Sequence, residues 1–450
     1  MLELGCGDGG NALSIAQTLP DARVLGVDAA AGAVARGTTL ARAAGLENVE
    51  LRVGAFERLP EQLGEFDYIV AHGVYSWIPP AARAALLACA RRCLAPAGIA
   101  FVSYNAYPGS YLRDMAGEML RFHLRDVTDP QARLAGAHEL MATIVAIEEP
   151  SPYARVLREQ LERMLRYSDA LLFHDDLAEI STPFYFHEFV EHAAGHGLRF
   201  LAEADLFESQ MRDVPDSAAA LMEALGDDVV AREQYLDFFR NRMFRQTLLC
   251  HAEAAPLRAL DDRVLERFAV SSSVCAEGAT LEGEETFATP DGFSMTTSEP
   301  HVRAAMHALA GAWPAALGFD ELLAAARAAV DPGLPAGDVG ARLREVLLRA
   351  YLARVVLLHG SAPPVGPAAE RGGERPLASA LARAQCAAGS TFVSSLLHAN
   401  VRLEEELDAA LLPLLDGTRD RDALAAALGR PQSEVEAGLA RLAAVGLLER

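Results

Sequence analysis

Residues 1–11 read MLELGCGDGGN, and an acid, Asp28, follows nineteen positions after Gly9. Glycines this closely spaced after a short apolar strand let the backbone pass near a ligand and turn amide N–H groups toward it. Two spacings overlap. Gly5, Gly7 and Gly10 fit the G-x-G-x-x-G turn that cradles a dinucleotide pyrophosphate, while Gly5, Gly7 and Gly9 fit the G-x-G-x-G turn of an S-adenosylmethionine (SAM) site. Charge favours the second, because Asp8 inside the loop would repel two phosphate charges gathered at a helix N-terminus. SAM has no phosphate and carries a sulfonium and an ammonium, so Asp8 and Glu3 do it no harm. Asp28 ends the strand Arg23 to Asp28, where a carboxylate can accept both ribose hydroxyls of either nucleotide.

A second set of side chains suits the other half of a group transfer. Tyr75 and Trp77 follow a strand at Phe66 to Ala71, and Asn105, Tyr107 and Tyr111 follow one at Ile99 to Tyr104. Both clusters emerge at the carboxyl ends of adjacent parallel strands, the side on which such sheets bind ligands. An aromatic face over a cation contributes ~0.5–2 kcal/mol, so Tyr75, Trp77, Tyr104 and Tyr107 suit an ammonium acceptor. Asn105 or a tyrosine hydroxyl would align the amine lone pair for in-line displacement. His72, with an ordinary pKa near ~6.5, is either the base or a contact to the cofactor.

The elements that must position these groups alternate strand and helix. Met1 to Leu4, Arg23 to Asp28, Val49 to Val53, Phe66 to Ala71 and Ile99 to Tyr104 read as strands, with a turn at Leu94 to Gly98 before the last. This predicts an α/β, Rossmann-like, doubly wound sheet. "FDYIV" and "LAPAG", in this order after the glycine turn, resemble the later motifs of class I SAM-dependent methyltransferases, a resemblance that spans Met1 to about Tyr104. It implies a mostly parallel sheet whose last strand is antiparallel. It also implies a SAM site formed by Glu3, Gly5, Cys6, Gly7, Gly9, Asn11 and Asp28, with Ala55, Phe56 and His72 as its adenine and methionine flanks. The family often has an acid after the third strand; here Gly54-Ala55-Phe56 leaves adenine to the backbone and the Phe56 ring. Tyr75, Trp77, Asn105 and Tyr107 are the expected acceptor-pocket residues.

Three stretches, AHGVYSWIP (71–79), SYNAYPGSYLRDMAGEMLRFH (103–123) and HDDLAEISTPFYFHEFVEHAAGHGLRFLAEAD (174–205), resemble the bacterial methyltransferases that carry a methyltransferase regulatory domain. EQYLDFFRNRMFRQTLLCH (233–251) is similar as well. The group includes protein lysine methyltransferases of outer-membrane proteins, so the resemblance implies methyl transfer to an amine, with a protein lysine favoured. A small-molecule amine acceptor and a non-catalytic SAM-binding regulator stay open as alternatives. Members of the group place further helices before the first strand. Only four residues precede the turn here, against ~5–6 in a mean strand. The expectation is that the native gene begins upstream and that the chain as given binds SAM weakly.

The expected domains are 1–165, holding the SAM site with a helical insertion from about residue 108; 166–255, the regulatory domain; 256–362; and 375–450. The insertion is expected to serve as a lid or a dimerisation arm, which makes a homodimer one expected partner. Thr182 and Pro183 read as an N-cap and first turn of a helix that leads into an alternating strand, LRFLAEAD, the last helix–strand unit of the sheet. After Cys250, a strand-like FAVSSSVCAEG and a hairpin at Pro290 to Gly292 precede two winged-helix-like outlines. The Pro/Gly-rich segment 360–376 reads as a linker between them.

Composition bounds the rest. The net charge is −22, from 62 acids and 40 bases, and every base is Arg, so Lys-dependent chemistry is excluded. Such an acid excess repels nucleic acid and anionic lipid, and no basic patch offsets it. Residues 401–450 alone carry 10 acids and 6 arginines, which favours protein contact over DNA for the second winged-helix outline. Six scattered cysteines without a C-x-x-C pair argue against a disulfide framework and a zinc site. His174-Asp175-Asp176 with His187, His192 and His196 invites a metal reading, but no Glu follows His192 as H-E-x-x-H requires, and no metal is expected. Without a signal peptide or a membrane-length apolar run, the expected location is cytoplasmic, with no membrane insertion.

Overall fold

The protein is described from a computed structural model, which covers all residues except 61–62, 148–149, 211–213, 257–260, 280–282, 330–335 and 450. It forms two compact units, one of Met1–Gly5 with Gly54–Ala255 and one of Cys6–Val53 with Pro256–Arg450.

Seven strands make one sheet. They are β1 (Leu2–Leu4), β2 (Val24–Asp28), β3 (Val49–Val53), β4 (Phe66–Ala71), β5 (Leu94–Asn105), β6 (Leu198–Glu203) and β7 (Phe244–His251), in the order β3-β2-β1-β4-β5-β7-β6. β1 pairs parallel with β4, β2 with β3 and β4 with β5, while β7 runs antiparallel to both β5 and β6. The single reversed strand is therefore β7, the last of the seven in chain order. β1 and β2 are almost wholly buried, Glu3 included, as strands covered on both faces must be. The expected turn at Leu94 to Gly98 is instead absorbed into β5 as an irregularity, the register stepping from Phe66 opposite Leu94 to Tyr68 opposite Ile99.

Segment 166–255, expected as a domain of its own, contributes β6 and β7 to this same sheet. The preceding helix is Phe186–Gly195, whose start is fixed by the Glu188 carboxylate accepting the Tyr185 N–H at 3.1 Å. The Thr182–Pro183 start is thus displaced by about a turn. Thr182 holds the loop instead, its N–H donating to the Ser76 carbonyl at 2.9 Å and its hydroxyl accepting from Arg83 at 2.7 Å.

Helices α1 (Gly10–Thr18) and α2 (Ala31–Ala43) follow β1 and β2, and α3 (Pro80–Cys93) precedes β5. The insertion after β5 is three helices, α4 (Ser110–His123), α5 (Pro130–Val145) and α6 (Pro152–Met164). Asp129 and Ser151 cap α5 and α6, with Pro130 and Pro152 at the first helical position. Their spacings, Leu134/Ala137/Met141 and Leu157/Leu161/Met164, put one apolar stripe on each helix, and these meet Ala116 and Leu120 of α4 in a core of their own.

The second unit holds two further cores. One gathers Leu265, Val270, Phe287, Met306, Leu322 and Leu343; the other gathers Ala382, Val393, Leu411, Leu424, Leu439 and Leu447. The hairpin expected at Pro290 to Gly292 joins antiparallel strands Glu285–Ala288 and Ser294–Thr297. Segment 360–376 is packed rather than a free linker: Arg371 pairs with Glu436 at 2.9 Å, and Ala368 N–H donates to the Trp313 carbonyl at 2.8 Å. The last core abuts the helices beside the glycine turn. Leu381 packs with Leu13 and Ala41, and the Gln17 carboxamide oxygen accepts from Leu381 N–H at 2.7 Å and Ser379 Oγ at 3.0 Å.

Candidate active site

Backbone alone shapes the glycine turn. Gly5, Gly7 and Gly9 take φ of 79°, 56° and 80°, where any side chain is strained. At Gly5 there is also no room, since a Cβ would lie 2.3 Å from Val74 Cγ2. At Gly7 a Cβ would meet nothing within 4 Å, so the chain there borders open space. Asp28 fixes the turn: Oδ2 accepts the Gly7 N–H at 2.8 Å and Oδ1 accepts the Ala30 N–H at 2.7 Å. Each oxygen keeps a lone pair for a ribose hydroxyl. Cys6 N–H donates to the Val27 carbonyl at 3.1 Å, a second tie between the turn and β2. An open, glycine-lined backbone beside a carboxylate at a strand end fits the nucleoside of SAM.

The other expected cofactor residues play unequal parts. Glu3 is buried in β1, and Asn11 is exposed on the first turn of α1. The Cys6 thiol is buried against the Gly7 carbonyl, so Cys6 serves the turn through its amide. Ala55 and the half-buried Phe56 stand where a single 3-10 turn begins after β3.

In the unit that holds β4 and β5, a cavity of about 380 Å³ is lined by His72, Trp77, Asn105, Arg113, His174 and Asp175, with Met243 and Phe244 at its edge. His72 Nδ1 lies 3.0 Å from Ser103 Oγ, which accepts the Gly73 N–H at 2.8 Å. Desolvation lowers the His72 pKa, which keeps the ring neutral at pH 7. Asn105 is held by its backbone, N–H to Ser76 Oγ at 2.9 Å and carbonyl from Phe184 N–H at 3.0 Å, so its carboxamide is left to line the cavity. The Trp77 ring meets His174 edge-on, centroids 5.0 Å apart.

A charge chain borders the same space. Arg113 donates to Asp176 Oδ1 at 2.7 Å and to Asp175 Oδ2 at 3.1 Å, and Asp175 Oδ1 lies 2.7 Å from His174 Nδ1. Burial opposes the Arg113 charge, but Asp176 and Asp175 outweigh it and raise its pKa. The hydrogen bond to Asp175 raises that of His174. With His174 neutral, the group carries two negative charges and one positive, which favours a cation in the cavity.

Two expected acceptor residues are placed elsewhere. Tyr75 is wholly buried, its hydroxyl on His192 Nδ1 and its ring edge-on to Phe189 at 5.1 Å. Tyr107 stacks on Tyr111 at 4.1 Å and donates its hydroxyl to Asp114 at 3.1 Å. Tyr104, adjacent to Asn105 on β5, takes the opposite face by strand alternation and stacks on Phe189 within the core at 4.1 Å. Sequence reasoning missed Arg113, Met243 and Phe244, which reach the cavity from α4 and β7. It met His174 and Asp175 only as metal candidates; the aspartates bind Arg113, and among the described residues no acidic, His or Cys group has metal-ligand geometry.

Comparison with known proteins agrees with this layout. The patterns described as "Methyltransferase domain", "Predicted methyltransferase regulatory domain" and "PKMT, C-terminal winged helix domain" match residues 1–98, 168–251 and 374–441. Uncharacterized protein RP028 of Rickettsia prowazekii is 37% identical over 195 residues, 43% of this chain and 78% of that protein. The chain belongs to the class I SAM-dependent methyltransferases that carry a methyltransferase regulatory domain. Uncharacterized protein RP789 of the same organism is 31% identical over 318 residues, 68% of this methyltransferase, which spans just 57% of that relative's length. The structure of PKMT2 from Rickettsia typhi in complex with AdoHcy superposes with a TM-score of 0.88 at 26% identity, covering 99% of this chain and 93% of that one. Among the described residues no helix is long and apolar enough to cross a membrane.

Proposed function

We propose that this methyltransferase transfers the methyl group of SAM to a lysine side chain of a protein. The observation that carries the reading is the likeness to PKMT2, a protein lysine methyltransferase, which extends over 99% of the chain and includes the winged-helix segment. The AdoHcy in that relative supports SAM as the donor here. Bound SAM supplies an electrophilic methyl carbon on a sulfonium.

The chain's own residues do the rest. The glycine turn and Asp28 bind the nucleoside. In the cavity, the Trp77 face and the Asp175 carboxylate attract the ammonium form of the acceptor. The amine must then lose a proton to expose its lone pair. With Nδ1–H donated to Ser103, neutral His72 keeps Nε2 free to take that proton. The Asn105 carboxamide orients the neutral amine, and the cavity walls remove water from it, which raises its nucleophilicity.

All six cysteines are thiols, which supports work in a reducing compartment, the cytoplasm. The test is transfer of labelled methyl from SAM to a lysine peptide, with the product lysine located by mass spectrometry. SAM binding without transfer to any amine would overturn the reading.

A further inference from the structure

We infer that a ribbon of tyrosine and phenylalanine rings beside the cavity is the track on which a cationic, extended stretch of the acceptor polypeptide lies. The inference rests on the lysine reading above and adds the substrate class, a disordered or unfolded lysine-rich segment.

The rings touch in sequence. Tyr107 stacks on Tyr111 at 4.1 Å and meets Tyr185 at 5.4 Å; Tyr185 meets Phe238 at 5.8 Å; Phe238 meets Tyr235 at 5.9 Å. Tyr111 is 51% exposed and Phe238 45%, whereas Tyr107, Tyr185 and Tyr235 are half-buried. Four of the chain's ten tyrosines thus share one partly exposed surface. Exposed aromatic rings in contact with one another are uncommon on a surface without a partner, and tyrosine is enriched where partners bind.

Chain continuity ties the ribbon to the cavity at two points. Tyr107 and Tyr111 flank Ser110, itself in the cavity lining with Asn105, and Phe238 precedes by a few residues Met243 and Phe244 of the same lining. A polypeptide whose lysine enters the cavity has this surface beside it.

Charge selects the occupant. Asp114 accepts the Tyr107 hydroxyl and the exposed Glu188 bonds the Tyr185 N–H, so carboxylates edge the ribbon. The chain as a whole carries −22, which repels nucleic acid and anionic lipid and attracts a basic peptide. Tyrosine faces bind lysine ammoniums, and their hydroxyls suit the backbone groups that an extended chain leaves open.

The test uses the full chain and a fluorescein-labelled disordered peptide of Lys, Ser and Gly, read by anisotropy, with the same peptide bearing Glu for Lys as control. Tight binding of the Lys peptide alone is expected, weakened about tenfold by Tyr185→Ala with Phe238→Ala. Unchanged binding by the double variant, or equal binding of the Glu peptide, overturns the inference. Circular dichroism checks that the variant is folded, and Tyr185→Phe with Phe238→Tyr, which keeps both rings, is expected to retain binding. Methyl transfer from SAM to the same Lys peptide by the unsubstituted chain is measured separately. Its absence counts against the lysine reading alone, because the anisotropy result needs no methyl transfer.

Discussion

Asp28 Oδ2 accepts the Gly7 N–H at 2.8 Å, so the carboxylate proposed to hold the ribose also sets the curvature of the glycine turn. Asp28→Ala removes both roles. Loss of hydrogen bonds to a charged group predicts a SAM affinity lower by about ten- to a hundredfold, measured by calorimetry. Asp28→Asn keeps one acceptor oxygen and should lose less.

Gly5 and Gly7 share a left-handed φ but differ in space. Gly5→Ala places a Cβ against Val74, and strain plus overpacking predict a loss of about 3 kcal/mol or more in thermal or urea unfolding. Gly7→Ala meets open space and should cost about 1 kcal/mol of stability, yet weaken SAM binding because the added methyl occupies the ligand side.

Trp77 and Tyr75 stand two residues apart but predict opposite phenotypes. Trp77→Ala should raise KM for a lysine peptide by about three- to thirtyfold while the SAM Kd stays unchanged. Tyr75→Phe should preserve turnover and lose about 1 kcal/mol of stability, because its hydroxyl binds His192 inside the fold.

His174 should titrate above the usual histidine value of about 6.5. Asp175 stabilises the imidazolium, so Asp175→Asn should lower that pKa, which NMR of the ring proton resolves. For a group raised in the folded state, the stabilisation is full below about pH 6.5 and is lost as pH rises through the folded value. It is small, since the His174 side chain is 65% exposed. The opposite trend is expected for acceptor binding, because neutral His174 leaves Asp175 free to attract an ammonium.

Gln17 on α1 accepts from Ser379 Oγ and Leu381 N–H, the start of the helix Ala380–Ala387. Gln17→Ala leaves both donors without that acceptor and should cost about 1–3 kcal/mol. Limited proteolysis should then cut sooner near residue 379 than in the unsubstituted chain.

The sequence by itself determined the glycine turn and the placing of Asp28 at the end of β2. The glycine turn, Asp28 and the strands around them are local: spacing, φ preference and charge act within about thirty residues, and Asp8 distinguished SAM from a dinucleotide. The strand–helix alternation likewise carried the α/β sheet and, through family likeness, its reversed last strand. Only the tertiary structure decided which side chains share the acceptor cavity. Trp77, in the turn after β4, and Asn105, at the end of β5, line it, whereas Tyr75, two residues before Trp77, and Tyr104, next to Asn105, go to the core. Arg113, His174 and Phe244 come from α4, the helical turn Leu172–Asp176 and β7, and the separations between them obey no local period. Their meeting is fixed by how α4 packs on the helical turn Leu172–Asp176, through Arg113 on Asp175 and Asp176. A one-dimensional pattern does not encode such a contact.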